Sequence, residues 1–445
     1  MIDEQGAAER LSGAIRFQTV SSIDRTKTDF SQFDGLHQYL EQAYPMIHSN
    51  LVKETDDARN LIFYWEGTDK TLKPIALLAH QDVVPVNEEK WSVPPFAGEI
   101  RDGYVYGRGT LDMKGQLIAV MEGVEALLRE GFDPDRSVYL LFGADEEPMG
   151  EYGAAKMSKM LKESEVRLHF VLDEGCIIRS GSDLGVDCDI APISICEKGV
   201  MNVKLTAQSQ SGHASMPPRR IAVEMLSRAI AKLGKRPMKN RINYPVKQMI
   251  KALASHAKGV SKMLFANQWL SGGIIKHILK KSPDTAALLH TTFAPTQLFA
   301  SNAPNVLAES ASVVFNIRIA PGENENDVYA HIERHTKGLK RETLFYNPPS
   351  PVSGVNERAY REVSSAVEKI FPEMAVVPYL MVAATDARYY HAVCDNVYRF
   401  SPFPSLKDDR ALIHSDDERL SIDSLRRGIE FYLHLIRSVC GSGTS

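Results

Sequence analysis

Three stretches of this sequence run from apolar residues straight into histidine or acid. His80-Gln81-Asp82 follows Ile75–Ala79, Asp145-Glu146-Glu147 follows Val138–Phe142 after two small residues, and Asp173-Glu174 follows Phe170-Val171-Leu172. Imidazole and carboxylate are ligands for divalent metals and are also common acids and bases in hydrolysis. In an extended segment His80 and Asp82 share a face, so Asp82 is placed to accept the second ring N–H of a metal-bound His80. Taken alone, a His-x-Asp triplet occurs often by chance and reads as an accident of composition. Three acids after an apolar strand repel one another unless solvent or cations relieve them. They read either as an ordinary acidic loop or as one metal ligand beside one general base. A second histidine, His414, lies in Ile413-His414-Ser415-Asp416-Asp417-Glu418 near the end of the chain.

Asp112 closes the segment Tyr106-Gly107-Arg108-Gly109-Thr110-Leu111-Asp112-Met113-Lys114-Gly115. It stands just before a strong helical pattern, where capping is the plain reading. The segment is not a dinucleotide fingerprint, because Asp112 occupies the place of the third glycine, and no phosphate-binding G-x-x-x-x-G-K-[ST] loop occurs. The inventory is therefore two histidines and at least three carboxylates, without a thiolate pair. Such a set suits Zn, Mn or Co, and two metals ~3.5–4 Å apart can share one carboxylate and activate a water for amide hydrolysis.

The elements that must position these residues alternate. Leu61–Trp65, Ile75–His80, Ser137–Ala144 and Leu168–Leu172 read as strands. Met113–Glu130 reads as a helix, with apolar residues at helical spacing and Gly131 closing it, and a second helix is expected near 151–162. This is the pattern of an α/β fold with a mixed, largely parallel sheet sandwiched by helices, which gathers functional residues at its strands' carboxyl ends. From about 193 the texture changes to α+β, with strands over Val200–Ala207 and Val313–Ile319 and helices over Ile221–Leu233 and Glu325–Thr336. Residues 238–292 form a Lys-rich helical stretch whose charge reads as a solvated face. After 352 the α/β texture returns and closes in a helix over Asp416–Ser438. The expected organisation is a di-metal domain of residues 1–192 and 352–445, interrupted by an inserted domain of residues 193–351.

Composition narrows the function classes. The 445 residues are 44% apolar and 24% charged, with a net charge of −4, so a core is affordable and no basic excess points to a nucleic-acid partner. No apolar run reaches the ~20 residues needed to span a bilayer, and no signal-peptide pattern opens the chain, so a cytoplasmic protein without a membrane partner is expected. Five cysteines without a C-x-x-C pair agree with a reducing compartment.

Nearly the whole chain resembles the two-zinc peptidase and aminoacylase family that includes carboxypeptidase S, aminoacylase, glutamate carboxypeptidase, acetylornithine deacetylase and succinyl-diaminopimelate desuccinylase. The resemblance is carried by Leu78-Ala79-His80-Gln81-Asp82-Val83-Val84-Pro85, by Gly107-Arg108-Gly109-Thr110-Leu111-Asp112-Met113-Lys114-Gly115, by Asp145-Glu146-Glu147, and by Leu172-Asp173-Glu174-Gly175. Tyr398-Arg399-Phe400-Ser401-Pro402, Ile413-His414 and Glu418-Arg419 are most similar to the branch of carboxypeptidase S and the N-fatty-acyl-amino-acid hydrolases. The resemblance implies that His80 and Asp173 bind one zinc, that Glu147 and His414 bind the other, and that Asp112 bridges both across a cis Asp112–Met113 peptide. It implies that Asp82 orients His80 and that Glu146 is the general base. In the inserted domain, a lid, Gly212-His213-Ala214-Ser215 matches a histidine motif, so His213 would stabilise the oxyanion, from a partner chain in dimeric members. Asn305 and Arg318 match substrate-binding lid residues, Arg318 as a clamp for a free carboxylate; an Arg paired with an internal carboxylate is the alternative. Thr385 belongs to Ala384-Thr385-Asp386-Ala387-Arg388, where the family usually has glycine in place of Ala384. Glu147-Pro148-Met149-Gly150 is likewise a less common variant. The implied reaction is carboxypeptidase or dipeptidase cleavage of small peptides, or else deacylation of N-acyl amino acids. The implied assembly is a homodimer through the lid.

Overall fold

A computed structural model describes residues 2–404 and 409–441 of the chain. It divides into two compact units: residues 1–195 with 352–379 and 385–445, and residues 196–351 with 380–384.

The first unit is built on an eight-stranded sheet. Its neighbours run in the order Val52–Thr55, Leu61–Trp65, Val138–Gly143, Ile75–His80, Phe170–Ser180, Val397–Pro404, Asp189–Glu197 and Ala375–Met381. Ile75–His80 lies parallel to both Val138–Gly143 and Phe170–Leu172, and Val397–Pro404 lies parallel to Phe170–Ser180. The flanking pairings, with Leu61–Trp65 and with Asp189–Glu197, are antiparallel. All six residues of Ile75–His80 are buried, because a parallel strand covered on both faces has no solvent side. Alternate residues feed different cores. Leu61, Phe63, Ile75, Leu77, Leu140, Phe142 and Phe170 meet helices Glu4–Ile15, Lys114–Arg129, Arg358–Ile370 and Ile422–Cys440 on one face. Ile62, Ala76, Leu78, Leu141 and Val171 meet helix Ala154–Glu163 and the turn Asp386–Ala392 on the other.

Two elements differ from expectation. The strand expected to end at Leu172 continues to Ser180, carrying Asp173 and Glu174 within it. It pairs with Ile75–Leu77 only as far as Leu172, so the two strands part company where the acids begin. The last helix starts at Ile422 rather than Asp416, because Arg419–Ser421 is drawn into an antiparallel pairing with Tyr104–Tyr106.

The second unit has a four-stranded antiparallel sheet in the order Thr292–Phe299, Ser310–Ile319, Gly199–Gln208, Lys340–Asn347. Helices Ala222–Lys235 and Glu325–His335 cover one face, against Val203, Leu205, Val313, Phe315 and Ile317. Between Ala222–Lys235 and the first sheet strand, residues 244–287 form four short helices. Among the described residues no helix is long and apolar enough to cross a membrane.

Candidate metal centre

The ends of the strands Ile75–His80 and Val138–Gly143 and the strand Phe170–Ser180 carry His80, Asp82, Glu146, Glu147 and Asp173, and the loops before Lys114–Arg129 and Arg419–Ser421 add Asp112 and His414 to the same unit. The Asp112 carboxylate has one oxygen on each histidine: Oδ1 lies 3.0 Å from His80 Nε2 and Oδ2 lies 2.9 Å from His414 Nε2. Glu147 Oε1 is 3.2 Å from the same nitrogen of His414. The other ring nitrogen of His80 faces Asp82, 3.0 Å from its carbonyl and 3.3 Å from its carboxylate. Asp112 does not cap the following helix. That N-cap is Met113, without a side-chain bond, and the Asp112–Met113 peptide is cis.

Asp82 does more than face a histidine. Its two carboxylate oxygens accept the backbone N–H groups of Glu146 and Glu147, both at 3.1 Å, and Ser21 Oγ donates to it at 2.6 Å. One buried aspartate therefore fixes the His80 ring and the loop that carries both glutamates. Glu418 does the same for Asp112: its Oε1 accepts the N–H groups of Gly109, Leu111 and Asp112, and its Oε2 pairs with the buried Arg108 guanidinium at 2.5 Å. His414 is held with φ at +60°, a left-handed conformation that costs a residue with a Cβ ~1–3 kcal/mol. Its loop is pinned by Asp417, whose Oδ1 accepts from the N–H and Oγ of Ser92 at 2.7 and 2.9 Å.

The donor atoms converge in two groups. One atom each from His80, Asp112 and Glu147 lie within 4.8 Å of one another, and so do atoms from His80, Glu146 and Glu174. Asp173 belongs to neither group. Its oxygens accept backbone N–H from Glu174 at 2.8 Å and Ala387 at 2.7 Å, while Glu174 Oε1 lies 3.6 Å from His80 Nε2. The chain sequence Asp-Glu offers two acids at this point, and only the folded strand decides which one faces the histidine.

Electrostatics point the same way. Burial pushes the carboxyl of Glu146 well above its ordinary range, with the carboxylates of Asp386, Glu147 and Asp112 adding to it. Burial does the same to Glu174, beside Asp112, and brings Asp173 to about 6. Burial disfavours charge on His80 too, but its bonds to Asp112 and Asp82 prevail and hold the ring well above its usual value. The bonds from His414 to Asp112 and Glu147 raise it to about 10. The cluster thus holds more acid than its two imidazoles balance, which is the imbalance that bound divalent cations correct. A donor set of imidazole nitrogen and carboxylate oxygen in two overlapping groups, with the Asp112 carboxylate between His80 and His414, is consistent with a pair of such cations.

Comparison with known proteins accounts for this constellation. The model of peptidase family M20/M25/M40 matches residues 76–438. The chain belongs to this family. A probable carboxypeptidase S-like 2 of Dictyostelium discoideum is 35% identical over 444 residues, covering 97% of this chain and 84% of that protein. An N-fatty-acyl-amino acid synthase/hydrolase of Mus musculus is 33% identical over 438 residues, covering 97% of this chain and 87% of that one. The M20 family metallo-carboxypeptidase Sso-CP2 of Sulfolobus solfataricus shares the fold, with a TM-score of 0.73 at 16% identity over 98% of this chain and 99% of that one. Within the M20 family the chain falls in the carboxypeptidase S and N-fatty-acyl-amino-acid hydrolase branch, and it is a metal-dependent hydrolase of peptide or amide bonds that releases amino acids.

The remaining predicted residues are distributed as follows. Thr385 is buried in the first unit, directly before the turn Asp386–Ala392. His213, Asn305 and Arg318 lie in the second unit. His213 is exposed on a two-residue strand paired with Val306–Leu307, and its Nδ1 meets Ser215 Oγ at 2.8 Å. The carbonyl of Asn305 accepts from Ala214 N–H at 3.0 Å, so these two motifs meet. Arg318 lies on the sheet strand opposite Val200, and its Nε donates to Asn316 Oδ1 at 3.0 Å. Sequence reasoning missed Glu174 as the acid that faces His80 and Glu418 as an anchor. Glu418 lies four residues after His414, and that short distance is the signal in the sequence that ties it to the site.

Proposed function

We propose that the cluster holds two zinc ions and cleaves the amide bond of a small peptide that carries a free α-carboxylate. Asp112 would be shared by both ions, with His80 and Glu174 as the residues that would hold one and Glu147 and His414 as those that would hold the other. Asp173 positions that strand through its two backbone bonds. Bound there, the metals would supply Lewis acidity and lower the pKa of a water toward neutrality. Glu146 is the general base: it takes the proton of the attacking water and returns it to the leaving amine. Asp82 keeps the His80 ring in one orientation throughout. His213 stabilises the oxyanion from a second copy of the chain in a homodimer, and Arg318, Asn305 and Thr385 hold the substrate, with Arg318 on its carboxylate. The inserted domain acts as the lid, and the cysteine usage supports a cytoplasmic protein.

The observation that carries this reading is the Asp112 carboxylate divided between two histidines, with the half-buried Glu146 grouped with His80. A second reading, hydrolysis of N-acyl amino acids, is supported by the 33% identity to the N-fatty-acyl-amino acid synthase/hydrolase of Mus musculus. One assay tests both. A single amino acid is capped with glycine, acetyl or a long acyl chain, each with a free or an amidated carboxylate, and its release by zinc-loaded protein is followed. Cleavage confined to free-carboxylate forms is expected, and the preferred cap selects peptidase or aminoacylase. Equal cleavage of the amidated forms would remove the carboxylate clamp.

A further inference from the structure

The lysines of residues 238–292 are expected from sequence to form a solvated helix face. In the structure that face also carries large apolar side chains. Helix Gln268–Leu279 buries Ser271, Ile275 and Leu279, four residues apart, and turns Trp269, Leu270 and Ile274 outward with exposures of 85%, 73% and 54%. In helix Gly259–Ala266 only Phe265 is buried, and Val260 and Met263, three apart, are 68% and 62% exposed. The two helices are joined through Asn267 and tied by Ser271 Oγ, which donates to the carbonyl of Leu264 at 2.5 Å. One helical pair thus turns five large apolar groups outward, a concentration of the kind that marks an interaction site.

Charge identifies the partner. Residues 238–292 contain nine Lys and Arg against one acid, Asp284, in a chain whose net charge is −4. Lys258 and Lys262, at the start of and within the first of these helices, and Lys280 and Lys281, at the end of the second, are exposed. A two-fold contact between copies of the chain would set this basic patch against itself. A nucleic acid would meet the lysines but leave four aliphatic groups uncovered. An anionic lipid surface satisfies both kinds of side chain: aliphatic groups enter the acyl boundary, tryptophan takes the headgroup level, and lysines reach the phosphates. We propose that the helical pair 259–279 is a docking surface for anionic lipid bilayers, lying in the interface without crossing it.

The test is co-sedimentation of the full chain with vesicles of phosphatidylcholine alone and of phosphatidylcholine with an equal part of phosphatidylserine. The expected result is at least ~10-fold tighter binding to the phosphatidylserine vesicles, weakening as salt rises. Trp269→Ser with Leu270→Ser should abolish binding to both vesicles. Lys276→Glu with Lys280→Glu and Lys281→Glu should remove only the preference for phosphatidylserine. These side chains are largely outside the core, so the variants' thermal melts should match that of the parent, and either variant alone decides the matter should the other fail to fold. Equal binding of parent and variants, or none by the parent, overturns the proposal. So does loss of self-association in the Trp269/Leu270 variant, by sedimentation velocity, without any vesicle binding by the parent: the face would then be a contact between copies.

Discussion

Glu418 accepts the backbone N–H of Asp112 at 3.1 Å with the same oxygen that accepts from Leu111 and Gly109, while its other oxygen holds Arg108. The residue four positions after one histidine thus fixes the backbone of the acid that both histidines share. Glu418→Ala leaves three buried N–H groups and a buried guanidinium without this acceptor. Removing one partner of a buried ion pair costs about 3–5 kcal/mol. The expected outcome is a lower denaturant midpoint together with reduced metal content, measured by elemental analysis. Glu418→Gln keeps one oxygen for the three N–H groups and should recover part of both. Full metal content in the alanine variant would show that the Asp112 loop holds itself.

Glu174 and Asp173 separate in the same way. If Glu174 faces the metal and Asp173 anchors backbone, Glu174→Gln should lower metal content with little change in melting temperature. Asp173→Asn weakens the bonds to Glu174 and Ala387 and should lower the melting temperature first. Elemental analysis and calorimetry on both variants check this, and the opposite pattern would return the ligand role to Asp173.

Much of this site was legible before the fold was seen, and the reason is physical. The strands Leu61–Trp65 and Ile75–His80 have the expected bounds, because their apolar runs are complete and end in residues that cannot be buried without partners. The helix following Asp112 was equally clear from its spacing. What sequence could not decide was set by pairing between distant segments. The strand Phe170–Ser180 runs past its apolar stretch because Val397–Pro404 supports it, and that extension determines which of two adjacent acids meets His80. Glu418 stands in a recognisable motif four residues after His414, but its anchoring role was not legible for the same reason: its partners are 306–310 positions away.

Without metal, protonation must do part of the work of balancing the cluster. His414 has an ordinary value of 6.5 and is raised to about 10 by Asp112 and Glu147. Its contribution to stability is fully present below 6.5 and is lost as pH rises through about 10. Chelator-treated protein should therefore melt at progressively lower temperature across that window, and saturating zinc should flatten the slope. Metal binding at neutral pH should also release protons, read by titration calorimetry in buffers of different ionisation enthalpy. A pH-independent melting temperature of the metal-free protein between 6.5 and 10 would contradict the His414–Asp112–Glu147 arrangement.

Glu146 and His213 give a joint prediction. If Glu146 is the general base, Glu146→Gln removes it and keeps an uncharged side chain of the same shape, so turnover should fall roughly 10²–10⁴-fold with metal content retained. His213→Ala should also lose turnover, through the oxyanion rather than the proton. If His213 serves the site of a second copy, a mixture of the two variant proteins contains dimers with one site lacking both groups and one site lacking neither. Activity should then return on mixing, towards a quarter of the parent's at full exchange of equal amounts, since half the dimers are mixed and each has one intact site of two. Turnover that stays at the level of the separate variants, with exchange verified by differently tagged chains, would place His213 in the site of its own chain.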